Sequence, residues 1–279
     1  MAASGVPLDS SPIPASLIPE PSPPPFSPHP RLLKSVGNPR PAPAASRPFS
    51  MAFQPIVDLE DTRIIAYEAL VRGLGNQPAA TILSAPHTGG RASIDRACRL
   101  TAIEVACSLG VLATGADLAI NVNARPASNN IPSLPATIAA ADRAGLPLDR
   151  LILEITEEER IRNPAQLQRT VQHLRERGLR IAIDDFGAGF AGLTLLAAFH
   201  PDILKIDIAL TRDVHQRHTS RVIIRSVLQI CRDLDIQLIA EGIETSDQQH
   251  ALADLGVRYM QGHYFAEPAF EALPIWPAA

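Results

Sequence analysis

Lysine is scarce in this sequence. Only two of its 25 basic residues are lysines, Lys34 and Lys205, and the others are arginines. Lys34 falls in a proline-rich segment, whereas Lys205 stands in the apolar run Asp202-Ile203-Leu204-Lys205-Ile206-Asp207. An ammonium is a compact charge whose pKa changes readily on burial, whereas a guanidinium stays protonated. The pattern therefore indicates a chemical role for Lys205 in a buried strand.

Other scarce features exclude whole classes of protein. The three cysteines, Cys98, Cys107 and Cys231, lie far apart without a CxxC pair, which argues against a disulfide framework or a cysteine-based zinc site. A net charge of −4, 4% aromatic residues and no basic block do not indicate a nucleic-acid polymer as partner. Neither a signal peptide nor an apolar run of about 18 residues is present, so we expect a cytoplasmic protein without a membrane span.

Proline is concentrated at one end. The first 48 residues hold 14 of the 26 prolines, mixed with serine and alanine. Such a segment buries too little apolar surface to offset the entropy lost on ordering. We predict a disordered tail over residues 1–48 and a folded domain over residues 51–274. The composition fits a linker remnant better than a docking arm for a protein partner that recognises proline-rich segments.

After Met51, short apolar runs alternate with amphipathic stretches of helical periodicity. Eight runs are predicted strands: 52–59, 64–71, 118–122, 151–155, 180–184, 203–206, 237–240 and 258–262. Alternation of strands and helices predicts an α/β fold with parallel strands, and eight strands in this length favour a TIM-like (β/α)8 barrel. Only residues 60–63 join the first two runs, which permits a hairpin but no parallel crossover. One strand should therefore run antiparallel.

Polar side chains end seven of these runs. They are Glu68, Asn121, Glu154, Asp184, Asp185, Lys205, Glu241 and Gln261. In such a barrel the catalytic groups lie at the carboxyl ends of the strands. Five carboxylates at one mouth would repel each other, so a cation must compensate them. Oxygen ligands suit Mg²⁺, Mn²⁺ or Ca²⁺ rather than zinc.

The adjacent pair Asp184-Asp185 makes this prediction more specific. Neighbouring residues of a strand point to opposite faces, but at a strand end the backbone can turn both carboxylates inward. Asp184 can then bridge two metals while Asp185 binds the second. Two metals about 3.5–4 Å apart are a recurrent device for phosphoester hydrolysis. Lys205 would orient the attacking water or offset the charge on phosphate.

These motifs resemble the EAL domain, a family of cyclic di-GMP phosphodiesterases. The matching segments in chain order are Phe53-Gln54-Pro55-Ile56, Tyr67-Glu68-Ala69-Leu70-Val71-Arg72, Leu153-Glu154-Ile155-Thr156-Glu157, Ile183-Asp184-Asp185-Phe186-Gly187, Leu204-Lys205-Ile206-Asp207, Ala240-Glu241-Gly242 and Gln261-Gly262. The stretch Ile94-Asp95-Arg96-Ala97-Cys98-Arg99 and the alanine and glycine at Ala188 and Gly192 are similar to the branch of EAL domains attached to BLUF blue-light sensors. Phe190 departs from the family pattern, because it lacks the hydroxyl of the tyrosine that is common there.

The resemblance implies a function and a set of roles. EAL domains hydrolyse cyclic di-GMP to linear pGpG with Mg²⁺ or Mn²⁺ in a two-metal site. The implied ligands are Glu68, Asn121, Glu154 and Asp184 for one metal and Asp184, Asp185 and Glu241 for the other. The implied catalytic residues are Lys205, Glu241 and Glu68, and the implied substrate contacts are Gln54, Arg72 and Gln261. Glu157 would anchor the loop after Asp185, which links metal binding to formation of a homodimer.

Three function classes are consistent with this family. The first is an active phosphodiesterase, and the second is a non-catalytic receptor that binds cyclic di-GMP and signals through protein partners. The third is an interaction module that binds no nucleotide. Receptors of this kind lose metal ligands or the lysine, whereas this sequence has all of them, so the residues favour the enzyme. A buried cluster of unused charge would also destabilise a pure interaction module.

Overall fold

The computed structural model describes residues 48–85, 90–122, 134–156, 164–189, 192–198 and 200–276. The predictions for residues 1–47 and for Glu157 lie outside the described residues. The described strands are β1 (Phe49–Asp58), β2 (Arg63–Gly73), β3 (Asp117–Asn121), β4 (Leu151–Thr156), β5 (Arg180–Phe186), β6 (Ile203–Ile206), β7 (Gln237–Ala240), β8 (Tyr259–Gln261) and β9 (Ala269–Phe270). The described α-helices are α1 (Ala79–Ser84), α2 (Arg91–Ser108), α3 (Leu134–Ala144), α4 (Pro164–Arg175), α5 (Gly192–Ala198), α6 (Ile208–Thr211), α7 (His218–Asp233) and α8 (Ser246–Asp254).

The strands close into a barrel. Strands β2 to β8 pair in parallel in chain order, and β1 closes the ring between β8 and β2. Strand β1 runs antiparallel to both neighbours, which confirms the antiparallel strand predicted from the short loop. The short strand β9 pairs with β1 at Ala52 and Phe53. The sequence did not predict β9, because two residues are too few to show a strand pattern.

Strand β1 also begins earlier than the apolar run indicated. Phe49 pairs with Gly73, and Met51 pairs with Val71. Phe49 is buried, and the Ser50 hydroxyl donates a hydrogen bond of 2.7 Å to Glu271 Oε1. The strand therefore starts two residues before the predicted domain boundary at Met51. Within the described ranges, no helix combines the length and apolar character that crossing a membrane requires.

The barrel interior is layered because strand side chains alternate between two faces. One buried layer is entirely apolar, and we call it the apolar layer; it consists of Ile56, Ala66, Ala119, Ile152, Ala182, Ile203 and Ile239. On each of the strands β2 to β7, the residue two positions after the apolar-layer residue is a polar side chain predicted for the site. On the antiparallel β1 the equivalent residue, Gln54, comes two residues earlier. Strand alternation thus places all of these side chains in one layer at the carboxyl ends of the parallel strands.

Candidate active site

Lys205 lies at the centre of this polar layer. Its Nζ is 2.6 Å from Glu241 Oε1, 2.9 Å from Glu154 Oε1, 3.1 Å from Asp184 Oδ1 and 3.3 Å from Glu68 Oε2. Only 1% of the lysine side chain is exposed. Burial opposes its charge, but the four carboxylates raise the pKa of Lys205 well above its ordinary value. The structure therefore brings the lysine and four predicted acids into one ion-pair cluster.

The carboxylates carry more negative charge than one ammonium balances. Burial raises the pKa of Glu154 and of Glu241 well above the ordinary value, although Lys205 opposes the shift. Burial also raises the pKa of Asp184. Glu68 differs, because its ion pair with Lys205 and its hydrogen bonds outweigh burial and lower its pKa. A site with this imbalance favours an additional cation.

Two amides hold Glu68 in position, and a third contacts one of them. Asn121 Nδ2 donates to Glu68 Oε1 at 3.1 Å, and Gln261 Nε2 donates to Glu68 Oε2 at 2.6 Å. Gln261 Nε2 also donates to Gln54 Oε1 at 3.2 Å, and Gln54 Nε2 donates to the Ala266 carbonyl at 3.1 Å. Both oxygens of Glu68 are therefore oriented by predicted site residues. A ligand role for Asn121 requires its carbonyl oxygen, which a turn of the amide would bring to the cluster.

The Asp184-Asp185 pair turns inward as the sequence predicted. Asp185 has a left-handed backbone with φ of 56°, and the register between β5 and β6 shifts between Ile183 and Phe186. A non-glycine residue in this region costs roughly 1–2 kcal/mol. Burial, together with Asp184 and Asp207, raises the pKa of Asp185 to about 6. A local distortion of the strand end thus places two consecutive carboxylates at the same site.

The carboxylates form two groups that are suited to metal ions. Glu68, Glu154 and Asp184 offer oxygens within 4.8 Å of one another, and so do Asp184, Asp185 and Glu241. Asp184 belongs to both groups. Its buried Oδ1 makes no hydrogen bond to the described residues, although Lys205 Nζ lies 3.1 Å away. An all-oxygen donor set of this kind fits hard divalent cations.

Thr211 is a site residue that the sequence did not reveal. Its hydroxyl donates a hydrogen bond of 2.6 Å to the backbone carbonyl of Glu241, and the side chain is fully buried. The next residue, Gly242, has φ of 67°, and a Cβ there would meet Ile208 Cγ1 at 2.5 Å. The short helix α6 therefore supports the strand end that carries Glu241. No local pattern marks this contact, because it joins residues thirty positions apart.

Arg72 and Asp207 do not join the Lys205 cluster. Arg72 follows Glu68 by four residues on β2, and its Nη1 donates to the Val71 carbonyl at 2.9 Å. Within the described residues this is the only hydrogen bond of its side chain. Asp207 caps α6 by accepting a hydrogen bond of 2.8 Å from the Ala209 amide, and its charge contributes to the raised pKa of Asp185. Its position directly before a helix is a capping signal that sequence reasoning did not use.

The geometry matches one known family. A closed barrel with one antiparallel strand carries the acidic cluster around a single lysine, and the sequence profile of the EAL domain matches residues 42–268. The chain belongs to the EAL domain family. The Glu-Ala-Leu segment that names the family is Glu68-Ala69-Leu70 on β2, where Glu68 contacts Lys205, Asn121 and Gln261.

Curated relatives of this EAL domain are longer proteins. The blue light- and temperature-regulated antirepressor BluF of Escherichia coli is 32% identical over 230 residues, which are 81% of this chain and 56% of that protein. The probable cyclic di-GMP phosphodiesterase PdeA of the same organism is 37% identical over 118 residues, which are 42% of this chain and 16% of that protein. The chain therefore spans about half the length, or less, of such relatives.

Solved structures agree with the fold. A standalone versatile EAL protein from Vibrio cholerae in its c-di-GMP bound form has a TM-score of 0.74 and 39% identity, covering 81% of this chain and 94% of that chain. The manganese/cy-diGMP complex of Klebsiella pneumoniae BlrP1 has a TM-score of 0.75 and 32% identity, covering 85% of this chain and 62% of that chain. These matches confirm the predicted EAL barrel and its family.

Proposed function

We propose that this EAL domain hydrolyses cyclic di-GMP to linear pGpG with two Mg²⁺ or Mn²⁺ ions. One observation carries the proposal: two carboxylate groups share Asp184 beside the buried ammonium of Lys205. Relatives named cyclic di-GMP phosphodiesterases, such as PdeA and PdeF, support this reaction. Solved neighbours in complex with cyclic di-GMP and manganese or calcium support the substrate and a divalent metal.

The two groups of ligands divide between two ions. Glu68, Asn121, Glu154 and Asp184 would hold one ion, and Asp184, Asp185 and Glu241 would hold the other. Two bound ions of this kind stabilise the attacking and leaving oxygens of an in-line displacement at phosphorus. The amides of Asn121 and Gln261 orient Glu68 through both of its carboxylate oxygens. This orientation fixes one ligand before any metal or substrate arrives.

Lys205 orients the attacking water and offsets the charge that develops on phosphate. An ammonium has three N–H donors and no acceptor, so it contacts water only by donating. It cannot therefore take the proton that the water loses, and among the carboxylates around it we assign that role to Glu68 and Glu241. Both lie against the ammonium, at 3.3 Å and 2.6 Å. We therefore assign Lys205, Glu68 and Glu241 to one mechanism.

Substrate contacts are assigned to the edge of the same layer. Gln54 and Gln261 are linked by a hydrogen bond of 3.2 Å and face the cluster from β1 and β8. Arg72 is half-buried at the end of β2 and carries a positive charge that is suited to a phosphate of the substrate. We assign all three to binding of cyclic di-GMP.

A receptor that acts through protein partners is the second candidate. The similarity to BluF favours it, because that relative is named an antirepressor. The observation against it is the complete set of ligands and the central lysine, since a receptor that only binds nucleotide has no need of Lys205. Turnover by the purified protein distinguishes the two candidates.

We further propose that the chain acts as a cytoplasmic homodimer. Apolar side chains are exposed on two helices: Leu193 on α5 is 64% exposed, and Val222 and Ile223 on α7 are 44% and 40% exposed. Such residues are suited to burial against a second copy. We assign to Glu157 the role of anchoring the loop after Asp185, which would link the site to the dimer. Sedimentation of the purified protein tests the dimer.

The test of the enzyme is product analysis. The purified protein is incubated with cyclic di-GMP and Mg²⁺ or Mn²⁺, and the nucleotides are separated by chromatography. We expect pGpG to accumulate in step with loss of substrate. Glu68→Ala should abolish this conversion, whereas Glu176→Ala, which removes an acid that is 63% exposed, should not change it. Binding of cyclic di-GMP with no product would support the receptor instead.

A further inference from the structure

The amino-terminal end of the barrel holds a cavity of about 310 Å³. Its floor is formed by Ile152, Ile203 and Ile239 of the apolar layer, on the side opposite to Lys205. We call this cavity the basal bowl. A volume of this size lies at the lower end of the range for small-molecule sites, which are concave, largely apolar and carry a few converging polar groups.

Strand alternation places polar side chains at the wall of the basal bowl. Asp117 begins β3, Arg180 begins β5 and Gln237 begins β7, each four residues before Asn121, Asp184 and Glu241 of the active site. Four residues of a strand span about 13 Å. The basal bowl is therefore separated from the proposed metal site by the whole apolar layer, and a small ligand cannot reach both.

The wall carries an excess of positive charge. Three of its residues are arginines, Arg63, Arg150 and Arg180, whereas Asp117 is its only acid among the described residues. Both oxygens of Asp117 are already engaged, Oδ1 by Arg150 Nε at 2.6 Å and Oδ2 by Arg180 Nη2. One carboxylate thus faces two guanidinium groups. Arg63 Nε lies 3.5 Å from Asp61 Oδ2 and 3.9 Å from Asp58 Oδ2, two acids that do not line the cavity.

The guanidinium groups also retain unused donors. Arginine has five N–H donors, and Arg180 uses one of them for hydrogen bonds to the described residues, at Asp117. Burial lowers the pKa of Arg180, because it removes water from around the charge, although the nearby Asp202 opposes this shift. A partly desolvated guanidinium with free donors forms stronger hydrogen bonds to an anion than an exposed one does. An isoleucine floor beneath it would contact an apolar group.

We propose that the basal bowl binds a small amphipathic anion, with a phosphate or carboxylate group on Arg63, Arg150 and Arg180 and a compact apolar body on the isoleucine floor. This site is independent of the proposed hydrolysis. It uses the end of the barrel opposite to the acidic cluster, where five carboxylates would repel an anion in the absence of metal.

The test uses phenyl phosphate, which joins a doubly charged group to a compact ring. The full chain is titrated with the probe by calorimetry in the presence of EDTA. Because EDTA removes divalent metals, no anion can bind to the acidic site through a metal ion. We expect saturable binding with a dissociation constant on the order of 1 mM or tighter. Inorganic phosphate, which lacks the ring, and phenol, which lacks the charge, should each bind more weakly. Absence of saturation, or displacement of phenyl phosphate by cyclic di-GMP, would overturn the proposal.

Matched arginine variants locate the probe. Arg180→Gln and Arg63→Gln should weaken binding, the former by about tenfold or more. Arg225→Gln should leave it unchanged, because Arg225 is an exposed residue of α7 that does not line the cavity. The Arg63 side chain is 56% exposed, so its variant keeps the test informative if Arg180→Gln fails to fold. Equal weakening by all three variants, or by none, would show that the basal bowl is not the site.

Discussion

Lys205 Nζ lies 2.6 Å from Glu241 Oε1, the shortest of the four contacts between this ammonium and carboxylates. Glu241 belongs to one carboxylate group, whereas Glu68 and Glu154 belong to the other, and Lys205 contacts all three. The ammonium therefore connects the two proposed metal positions. Its own strand, β6, supplies no carboxylate to either group, so the lysine is the only contribution of β6 to this cluster within the described residues.

Replacement of this lysine separates the enzyme from the receptor. Lys205→Ala keeps every metal ligand but removes the group that orients water, so hydrolysis should fall by about 10²–10⁴-fold while cyclic di-GMP binding largely survives. Lys205→Arg should not restore the rate, because a guanidinium is larger and planar. Initial rates and equilibrium binding are measured on the same preparations. Lys34→Ala, the substitution of the only other lysine, is the matched control. If the Lys205→Ala protein hydrolysed cyclic di-GMP as fast as the unchanged protein, the role assigned to Lys205 would be wrong.

Ca²⁺ should inhibit the reaction. The oxygen ligands accept Ca²⁺, but this ion prefers a larger and looser coordination sphere than Mg²⁺ or Mn²⁺. A BlrP1 complex with calcium and cyclic di-GMP is among the solved neighbours. Rates are compared in Mg²⁺ before and after Ca²⁺ addition, and a calcium-selective chelator should restore them. Turnover in Ca²⁺ alone that equals the rate in Mg²⁺ would contradict the two-metal geometry.

Because β1 begins at Phe49, two truncations of the chain should differ in stability. A chain that begins at Pro48 keeps β1 intact, so its activity and stability should match those of the full chain. A chain that begins at Met51 loses the buried Phe49 ring and the hydrogen bond from Ser50 to Glu271. Burial of such a ring contributes about 1.5–3 kcal/mol to the free energy of unfolding. Urea unfolding measures the difference, and equal midpoints for the two truncations would show that Phe49 does not stabilise the barrel.

Thr211 should influence metal affinity through the backbone of Glu241. Thr211→Val retains the shape of the side chain but removes the donor to the Glu241 carbonyl. A lost hydrogen bond of this kind costs about 1 kcal/mol, so we expect Mn²⁺ affinity to fall by roughly fivefold. Thr211→Ser keeps the hydroxyl and should retain most of the affinity. The Mn²⁺ affinity of each variant is measured by calorimetric titration. Equal Mn²⁺ affinity of the valine and serine variants would contradict this role of the Thr211 hydroxyl.

The barrel could be predicted from the sequence because its strands and turns are marked by patterns among neighbouring residues. Alternating side chains along each run indicate both the strand and the residues that share a face, and loop lengths indicate the direction of the next strand. The short connection at residues 60–63 was enough to predict that one strand runs antiparallel. The same alternation identified Glu154 and Lys205 as strand-end residues, and the structure places both in one layer. Strand β9 has two residues and left no such pattern.

Contacts between distant segments were decided by the tertiary structure. The left-handed backbone of Asp185 depends on the register between β5 and β6, which no neighbouring residue specifies. The hydrogen bond from Thr211 to Glu241 depends on how α6 packs beneath the end of β7.

The sequence alone thus determined which side chains face the barrel axis, because backbone geometry repeats every two residues along a strand. Only the closed barrel decided that Lys205 touches four carboxylates at once and that arginines gather at the opposite end. Closure sets the stagger of neighbouring strands, and this stagger determines which side chains meet across the interior.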